Sequence, residues 1–446
     1  MKNYKLYNNI LGRLVCIIAC TVYILTSEPT ASFWDCGEYI ATSYKLQVGH
    51  PPGAPTFQLF GRIFSLFAFG DIKLVARMVN TMSALASGFS ILFLFWSITH
   101  IAKKLASITG EITESKMFAI LGSGIVGALA YTFTDSFWFS AVEGEVYASS
   151  SFFTAIVFWC MLKWEEQAED KYAVRWILLI AFLMGLSVGV HLLNLLTIPA
   201  IAYIYYFKKY NFSVKGFIKA TLLGFAILIT VMYIIIPQVV YLAGKFELLF
   251  VNTFGMPFNS GSIIYFLLII GGIIFGLRYA KRKQKVLLNT ILLCFTFILI
   301  GYSTFFILII RSNAKTPINE NAPKNAIALL SYLNREQYGD WPLFYGQYYN
   351  SPLDPKDPYG DGTPYYTRDD KKGKYVVSDD RKSSVPNYDP KFYTYFPRMW
   401  KSEKADEYKT WADIKGANIS VTGRDGQSEV INKPTFSENL KFLFRY

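Results

Sequence analysis

Two carboxylates and an imidazole stand close together early in the chain. The stretch 32–55, SFWDCGEYIATSYKLQVGHPPGAP, holds Asp35, Glu38 and His50 beside a Pro51-Pro52-Gly53 turn, between two apolar runs. Asp35 and Glu38 are three residues apart and share a face if the segment is helical. A carboxylate at such a place can take the proton of an attacking hydroxyl. A cation nearby can stabilise a departing phosphate. Those are the needs of sugar transfer from a lipid phosphate, with Asp35 as the base and Glu38 its neighbour. The two roles are exchangeable at this level, because both carboxylates are within reach. The same residues have plainer uses, as solvated loop acids, as a helix cap with its first-turn acid, or as prolines that only turn the chain.

Other polar residues gather at the same end of the apolar runs. The loop TDSFWFSAVEGEVYASS holds Glu143 and Glu145, and the turn GVHLLNLL holds His191 and Asn194. These four are candidates for acceptor or loop support; a wet loop and a satisfied interface histidine are the bland alternatives. His50, Arg77 and Arg311 are placed to meet a donor phosphate at headgroup level. Arg311 can equally be an interface anchor that snorkels. Ionisable groups near membrane depth are costly and tend to be functional, so the conjunction carries more weight than any one residue.

The elements that must position these residues follow from composition. Of 446 residues 52% are hydrophobic and 17% charged, against roughly 25% charged in soluble domains. The mean hydropathy is +0.28. The apolar runs lie in the first 310 residues, while the remainder is rich in Tyr, Pro, Asp and Lys. The expected organisation is a transmembrane domain over 1–310 and a soluble domain over 311–446. A crossing helix needs about 20 apolar residues. Nine spans are predicted, near 10–27, 74–99, 117–134, 148–162, 175–190, 192–207, 216–238, 261–278 and 286–310, with 56–69 as an interfacial or re-entrant segment.

Every second loop is basic, as with Lys103, Lys104 and Lys116, or Arg278 through Lys285, whereas 135–147 has no Lys or Arg and 239–260 only Lys245. The Lys/Arg bias sets orientation, so the N-terminus is expected in the cytoplasm and the C-terminal domain outside. The first segment is expected to be a span and not a cleaved signal. The net charge of +12 is then an orientation signal; nucleic-acid binding would need a basic face on a soluble domain. Four of the five cysteines lie in or near spans, and Cys36 has no obvious partner. No zinc or disulfide spacing exists.

The D-x-G-E and V-G-H-P-P-G-x-P elements, carried by Asp35, Gly37, Glu38, His50, Pro51, Pro52, Gly53 and Pro55, resemble the first-loop signature of the protein O-mannosyltransferase-like family. That family is also known as glycosyltransferase family 117, formerly domain of unknown function family 2723. ARMVNTMSAL, AVEGEVYA, GVHLLNLLTIP and PKNAIALLSYLNREQYGDWPLFYG are similar to its Bacteroidetes-type bacterial form. The resemblance implies a polytopic GT-C fold, a catalytic acid in the first outward loop, a polyprenyl-phosphate sugar donor and a Ser/Thr hydroxyl of a translocated protein as acceptor. It also implies a bacterial inner membrane with the second domain in the periplasm. Bacterial relatives run longer, and this chain stops at NLKFLFRY, so a truncated member is expected.

The 311–446 segment reads as a small mixed α/β domain, with strand-like runs KYVVS, ANISVTG and EVINKP. DPKDPYGDGTPYY is turn punctuation without the spacing of an EF-hand. No cofactor is expected to be required; a divalent metal is chemically possible, but no spacing supports one. A lipid or glycan acceptor is the alternative within the same class. A transporter would place its acids at the midplane and show internal repeats, and neither is found. A membrane scaffold would leave the first-loop acids without a role.

Overall fold

The computed structural model describes residues 3–339, 341–422 and 428–445. Asp340 of the GDWPLFYG stretch, Gly423 of ANISVTG and the terminal Tyr446 lie outside the described residues. The chain forms two compact units, Met1–Asn334 and Arg335–Tyr446.

The first unit is helical. Its elements begin with α1 (Tyr4–Leu25), α2 (Cys36–Lys45), α3 (Pro55–Ser65), α4 (Ile72–Ile108), α5 (Glu114–Thr132), α6 (Asp135–Ala141), α7 (Val146–Glu166), α8 (Val174–Val188) and α9 (Ile198–Lys209). They continue with the long helix α10 (Val214–Thr253), then α11 (Ser260–Arg282), α12 (Val286–Asn313) and α13 (Ala326–Leu333). Among the described residues seven helices are long and apolar enough to cross a membrane: α1, α4, α5, α7, α10, α11 and α12.

Two of the nine expected spans are therefore shorter than predicted. The run 175–190 gives α8, of 15 residues, about 22 Å at 1.5 Å per residue against a hydrocarbon core of about 30 Å. The run 192–207 opens as a 3-10 turn, Leu192–Thr197, and only then becomes α9, of 12 residues. The expected 239–260 loop is mostly helix, because α10 runs on to Thr253 through π-helical turns at Thr230–Ile235 and Leu249–Thr253. Glu247 explains why a charged residue is tolerated there. Its carboxylate is fully buried and accepts the N–H groups of Asn259 and Ser262 at the start of α11.

Helix α4 is the hub and packs against α1, α5 and α7. Tyr23, Ile91, Phe95 and Ala128 fill the α1–α4–α5 seam. Helix α2 is short and amphipathic: Cys36, Tyr39, Ile40 and Ser43 are buried at helical spacing. With Phe57 of α3 they pack on Val75 and Val79 of α4 and on Phe153 of α7. Pro55 starts α3, at a position where its missing N–H costs no helical bond.

The stretch 311–334, expected to open the soluble domain, packs in the helical unit instead. Val48 and Asn319 form a parallel bridge, with Val48 N–H donating to Ile318 O and Glu320 N–H to Val48 O. Helix α13 then packs on α10. The polarity of this stretch misleads because its backbone pairs with a segment some 270 residues earlier.

The second unit contains four two-stranded antiparallel ladders: 345–347 with 393–395, 359–360 with 385–386, 365–369 with 374–379, and 417–422 with 428–433. Two helices, Ala405–Ala412 and Phe436–Arg445, complete it around Tyr348, Tyr349, Met399 and Tyr408. The expected strand runs KYVVS, ANISVTG and EVINKP fall in these ladders. The last helix opens with a capping box in which Thr435 N–H donates to Glu438 and Glu438 N–H to the Thr435 hydroxyl.

Candidate active site

The loop between α1 and α2 is tied down before the acids appear. Asn80, buried in α4, donates from Nδ2 to Glu28 O (2.6 Å) and Thr30 O (2.9 Å). Glu28 N–H donates to Val142 O in the loop before α7. Asp35 then occupies the N-cap position of α2, but its side chain makes no capping hydrogen bond. The capping alternative therefore fails for Asp35, whose carboxylate is turned elsewhere.

It faces His50. Nε2 of His50 lies 3.7 Å from Asp35 Oδ2, and Nδ1 lies 3.0 Å from Glu38 Oε2. Glu38 Oε1 also accepts the His50 backbone N–H at 2.6 Å. Glu38 thus grips His50 twice, and the ring lies between two carboxylates. The side chains are 57% (Asp35), 25% (Glu38) and 19% (His50) exposed, so Asp35 is the one open to a substrate. Gly49 is required for this approach, since a Cβ there would collide with Glu38 Oε1. The turn is held from below by Tyr332 of α13, fully buried, whose hydroxyl lies 2.6 Å from Gly49 O and 3.1 Å from His50 O. Gly53 adopts a positive φ of 71° and donates its N–H to His50 O. The ring of Tyr39 meets that of His50 edge-on at 5.6 Å.

Electrostatics follow from this geometry. Burial raises the Glu38 carboxyl, but the ring and backbone N–H of His50 outweigh it and hold Glu38 below the usual range. The hydrogen bond to Glu38 raises His50 against burial, and the charges of Glu38, Asp35 and Glu320 add to the rise. Glu145, buried at the N-cap of α7, accepts Val146 N–H. Burial pushes it up to about 7, the Val146 bond opposes, and Asp35 and Glu143 reinforce the rise. Burial raises Glu143 as well, and its Oε2 has no hydrogen-bond partner among the described residues.

The structure brings together Asp35, Glu38 and His50, with Glu145 in electrostatic reach of Asp35 and His50. The other predicted residues are placed as follows. Arg311 donates from Nε to Leu46 O (2.6 Å) and from Nη2 to Lys45 O (3.0 Å), bracing the C-terminus of α2. Arg77 is exposed on α4, and its guanidinium makes no hydrogen bond or ion pair among the described residues. His191 accepts Leu193 N–H and lies against Tyr147. Asn194 is buried and accepts the hydroxyls of Ser150 (2.7 Å) and Thr154 (2.9 Å), while its Nδ2 has no partner among the described residues. Sequence reasoning missed Glu320 and Tyr332. Tyr332 lies in the PKNAIALLSYLNREQYGDWPLFYG stretch and Glu320 just before it, but only long-range pairing brings them to the turn.

The first unit is thus a polytopic membrane protein with an acid–imidazole cluster in the segment after its first crossing helix. Residues 35–214, which include this cluster, match the family model of the protein O-mannosyl-transferase TMEM260 N-terminal domain. Residues 339–444 match a family of unknown function, DUF8416. The chain is 27% identical over 141 residues to "Protein O-mannosyl-transferase tmem260" of Dictyostelium discoideum, covering 31% of this chain and 15% of that protein. It is 26% identical over 167 residues to "Protein O-mannosyl-transferase TMEM260" of Mus musculus, covering 37% of this chain and 21% of that protein. The chain therefore spans about a fifth or less of these relatives' length. No solved structure matches.

Proposed function

We propose that the protein is a GT-C-class membrane glycosyltransferase. It moves a hexose, mannose by analogy with the named relatives, from a polyprenyl-phosphate donor to a Ser/Thr hydroxyl of a translocated protein. The observation that carries this reading is the uncapped, exposed Asp35 carboxylate set against a His50 ring that Glu38 holds at two points. In the reaction the acceptor O–H gives its proton to Asp35 as its oxygen attacks the anomeric carbon. The bond to the phosphate oxygen breaks, and its electron pair leaves with the phosphate. Glu38 and His50 position Asp35. Arg77, and the Nη1 that Arg311 does not spend on α2, meet the phosphate charge. An apolar cavity of about 260 Å³, lined by Val240 and Ala243 of α10, Phe266 of α11, Phe306 of α12 and Leu329 of α13, suits an isoprenoid tail.

In this reading α8 and α9 also cross, giving nine spans with a cytoplasmic N-terminus and the second unit in the periplasm of a bacterial cell. The basic loops support that orientation. No cofactor enters the acid–base step itself.

The test incubates the purified chain in detergent with polyprenyl-phosphate mannose and periplasmic protein extract, then analyses products by mass spectrometry. Hexose additions on Ser/Thr that disappear with Asp35→Asn are expected. Folded wild-type protein that transfers no sugar to any component would overturn the reading.

A further inference from the structure

The cluster that serves the acid–base step is also short of positive charge. Asp35, Glu38, Glu143, Glu145 and Glu320 lie in one electrostatic neighbourhood with His50. Among the described residues none of these five carboxylates pairs with a lysine or arginine, and the ion pairs that exist are those of His50 with Asp35 and Glu38. Arg311 is turned to backbone carbonyls instead.

The donor atoms are arranged as well as numerous. One ligand atom from each of Asp35, Glu38 and His50 lies within 4.8 Å of the others. With Nδ1 engaged by Glu38 Oε2 at 3.0 Å, the lone pair of His50 is directed through Nε2, and Nε2 faces Asp35 Oδ2 at 3.7 Å. Metal–ligand bonds of about 2.0–2.2 Å set neighbouring ligand atoms about 3–3.5 Å apart. A small rotation of the exposed Asp35 side chain closes that difference. A carboxylate behind a ligating histidine is the usual way of fixing its tautomer and raising its basicity.

We propose that Asp35 Oδ2 and His50 Nε2 bind a divalent cation of the Mn2+/Mg2+ class, with Glu38 orienting the histidine. Two protein ligands leave most of the coordination sphere to water and to an incoming phosphate, as in sites completed by substrate phosphates. The imidazole favours Mn2+ over Mg2+. The second Asp35 oxygen stays free for the acceptor proton, and the ion meets the electron pair that leaves with the phosphate. That role rests on the transferase reading; the site itself does not. No metal-ligand spacing announces the site, because His50 follows Glu38 by twelve residues.

The experiment is a Mn2+ titration of the chelator-stripped full chain in detergent, read by the loss of the free-ion EPR signal. One saturable Mn2+ per chain is expected. Asp35→Asn and His50→Gln should each weaken it at least tenfold, and Glu38→Gln by about 10–100-fold. His100→Ala, at the other histidine–carboxylate cluster, should leave it unchanged. Absence of saturable binding to wild-type protein overturns the proposal, and so does binding that follows His100 and not His50. The wild-type titration decides even if a variant does not fold. Transfer that persists in the stripped protein, with no Mn2+ bound, removes the ion and leaves the transferase reading intact. Mn2+ bound at Asp35 and His50 in a protein that transfers nothing does the reverse.

Discussion

Glu38→Gln separates positioning from proton transfer at this site. In the wild-type chain the two carboxylate oxygens do different work: Oε1 accepts the His50 backbone N–H at 2.6 Å and Oε2 faces Nδ1 at 3.0 Å. Against a protonated Nδ1, a glutamine, with one acceptor oxygen and one donor NH2, keeps one bond and loses the other in either orientation. The lost bond has a charged partner, worth about 1.5–3 kcal/mol. At 1.36 kcal/mol per factor of ten, the transfer rate should fall roughly 10–150-fold if the whole loss appears in positioning. Removing a general base costs about 10²–10⁴-fold, so Asp35→Asn should be the more damaging change.

The assay is the initial transfer rate at saturating donor for wild type, Glu38→Gln, His50→Gln and the double variant, each checked for folding by gel filtration. If Glu38 acts through His50, the double variant should be little worse than the worse single one, with a coupling of about 1.5–3 kcal/mol. Losses that add within about 0.5 kcal/mol would refute the reasoning, because Glu38 would then be acting on something other than His50. A folded Glu38→Gln protein with full activity would refute it more simply.

The remaining predictions concern the supports of the cluster. Tyr332→Phe removes the hydroxyl that holds Gly49 O and His50 O; His50 O keeps the Gly53 N–H, but leaving the buried Gly49 O unpaired should cost about 1–3 kcal/mol, seen as a lower melting temperature and faster amide exchange over 48–53, and an unchanged melting curve would remove Tyr332 from the scaffold. Arg311→Ala should loosen the last turn of α2, measured as faster exchange there, and should also raise the donor KM if Nη1 reaches the phosphate; loosening without a KM change would leave Arg311 a brace only. Glu145 has a folded pKa of about 7, raised from 4.5 by burial, so the folded state holds its proton more tightly than the unfolded chain. Stability should therefore fall as pH rises from about 4.5 to about 7 and level off above. Glu145→Gln should flatten that part of a pH series of melting temperatures measured in chelator, and a slope unchanged in the variant would reassign it to another group.

The cluster was legible in the sequence because its parts are local. Asp35 and Glu38 are one helical turn apart, and a Gly-His-Pro-Pro-Gly run can only be a turn. The supports were not legible, because Tyr332 and Arg311 reach the turn and α2 across 282 and 265 residues of chain respectively, and no local pattern encodes that pairing. The spans were read from apolar length, which served where helices are continuous. Over 175–207 it overstated helix length, because Val188 ends α8 and a 3-10 turn breaks an apolar run. It failed in the opposite sense over 239–253, where the expected loop is helix and the buried Glu247 carboxylate accepts the N–H groups at the start of α11. Polarity misled in the same way over 311–334, whose polar groups are spent on the helical unit.

Among the described residues there are two histidine–carboxylate clusters, and their difference argues which one does chemistry. His100 on α4 meets Glu165 at 3.4 Å and Glu166 at 3.2 Å on α7. Lys104 pairs with Glu165 and Lys163 with Glu166, so each carboxylate already has a cation and the set closes on itself as a clasp between two helices. The first-loop cluster uses the same residue types and remains open. Among the described residues its carboxylates have no lysine or arginine, its most exposed acid makes no capping bond, and its histidine is held by Glu38 at ring and backbone. A structural cluster gains nothing from uncompensated charge, which burial makes expensive. A catalytic one needs it, because the missing counter-charge is what a proton, a cation or a substrate supplies.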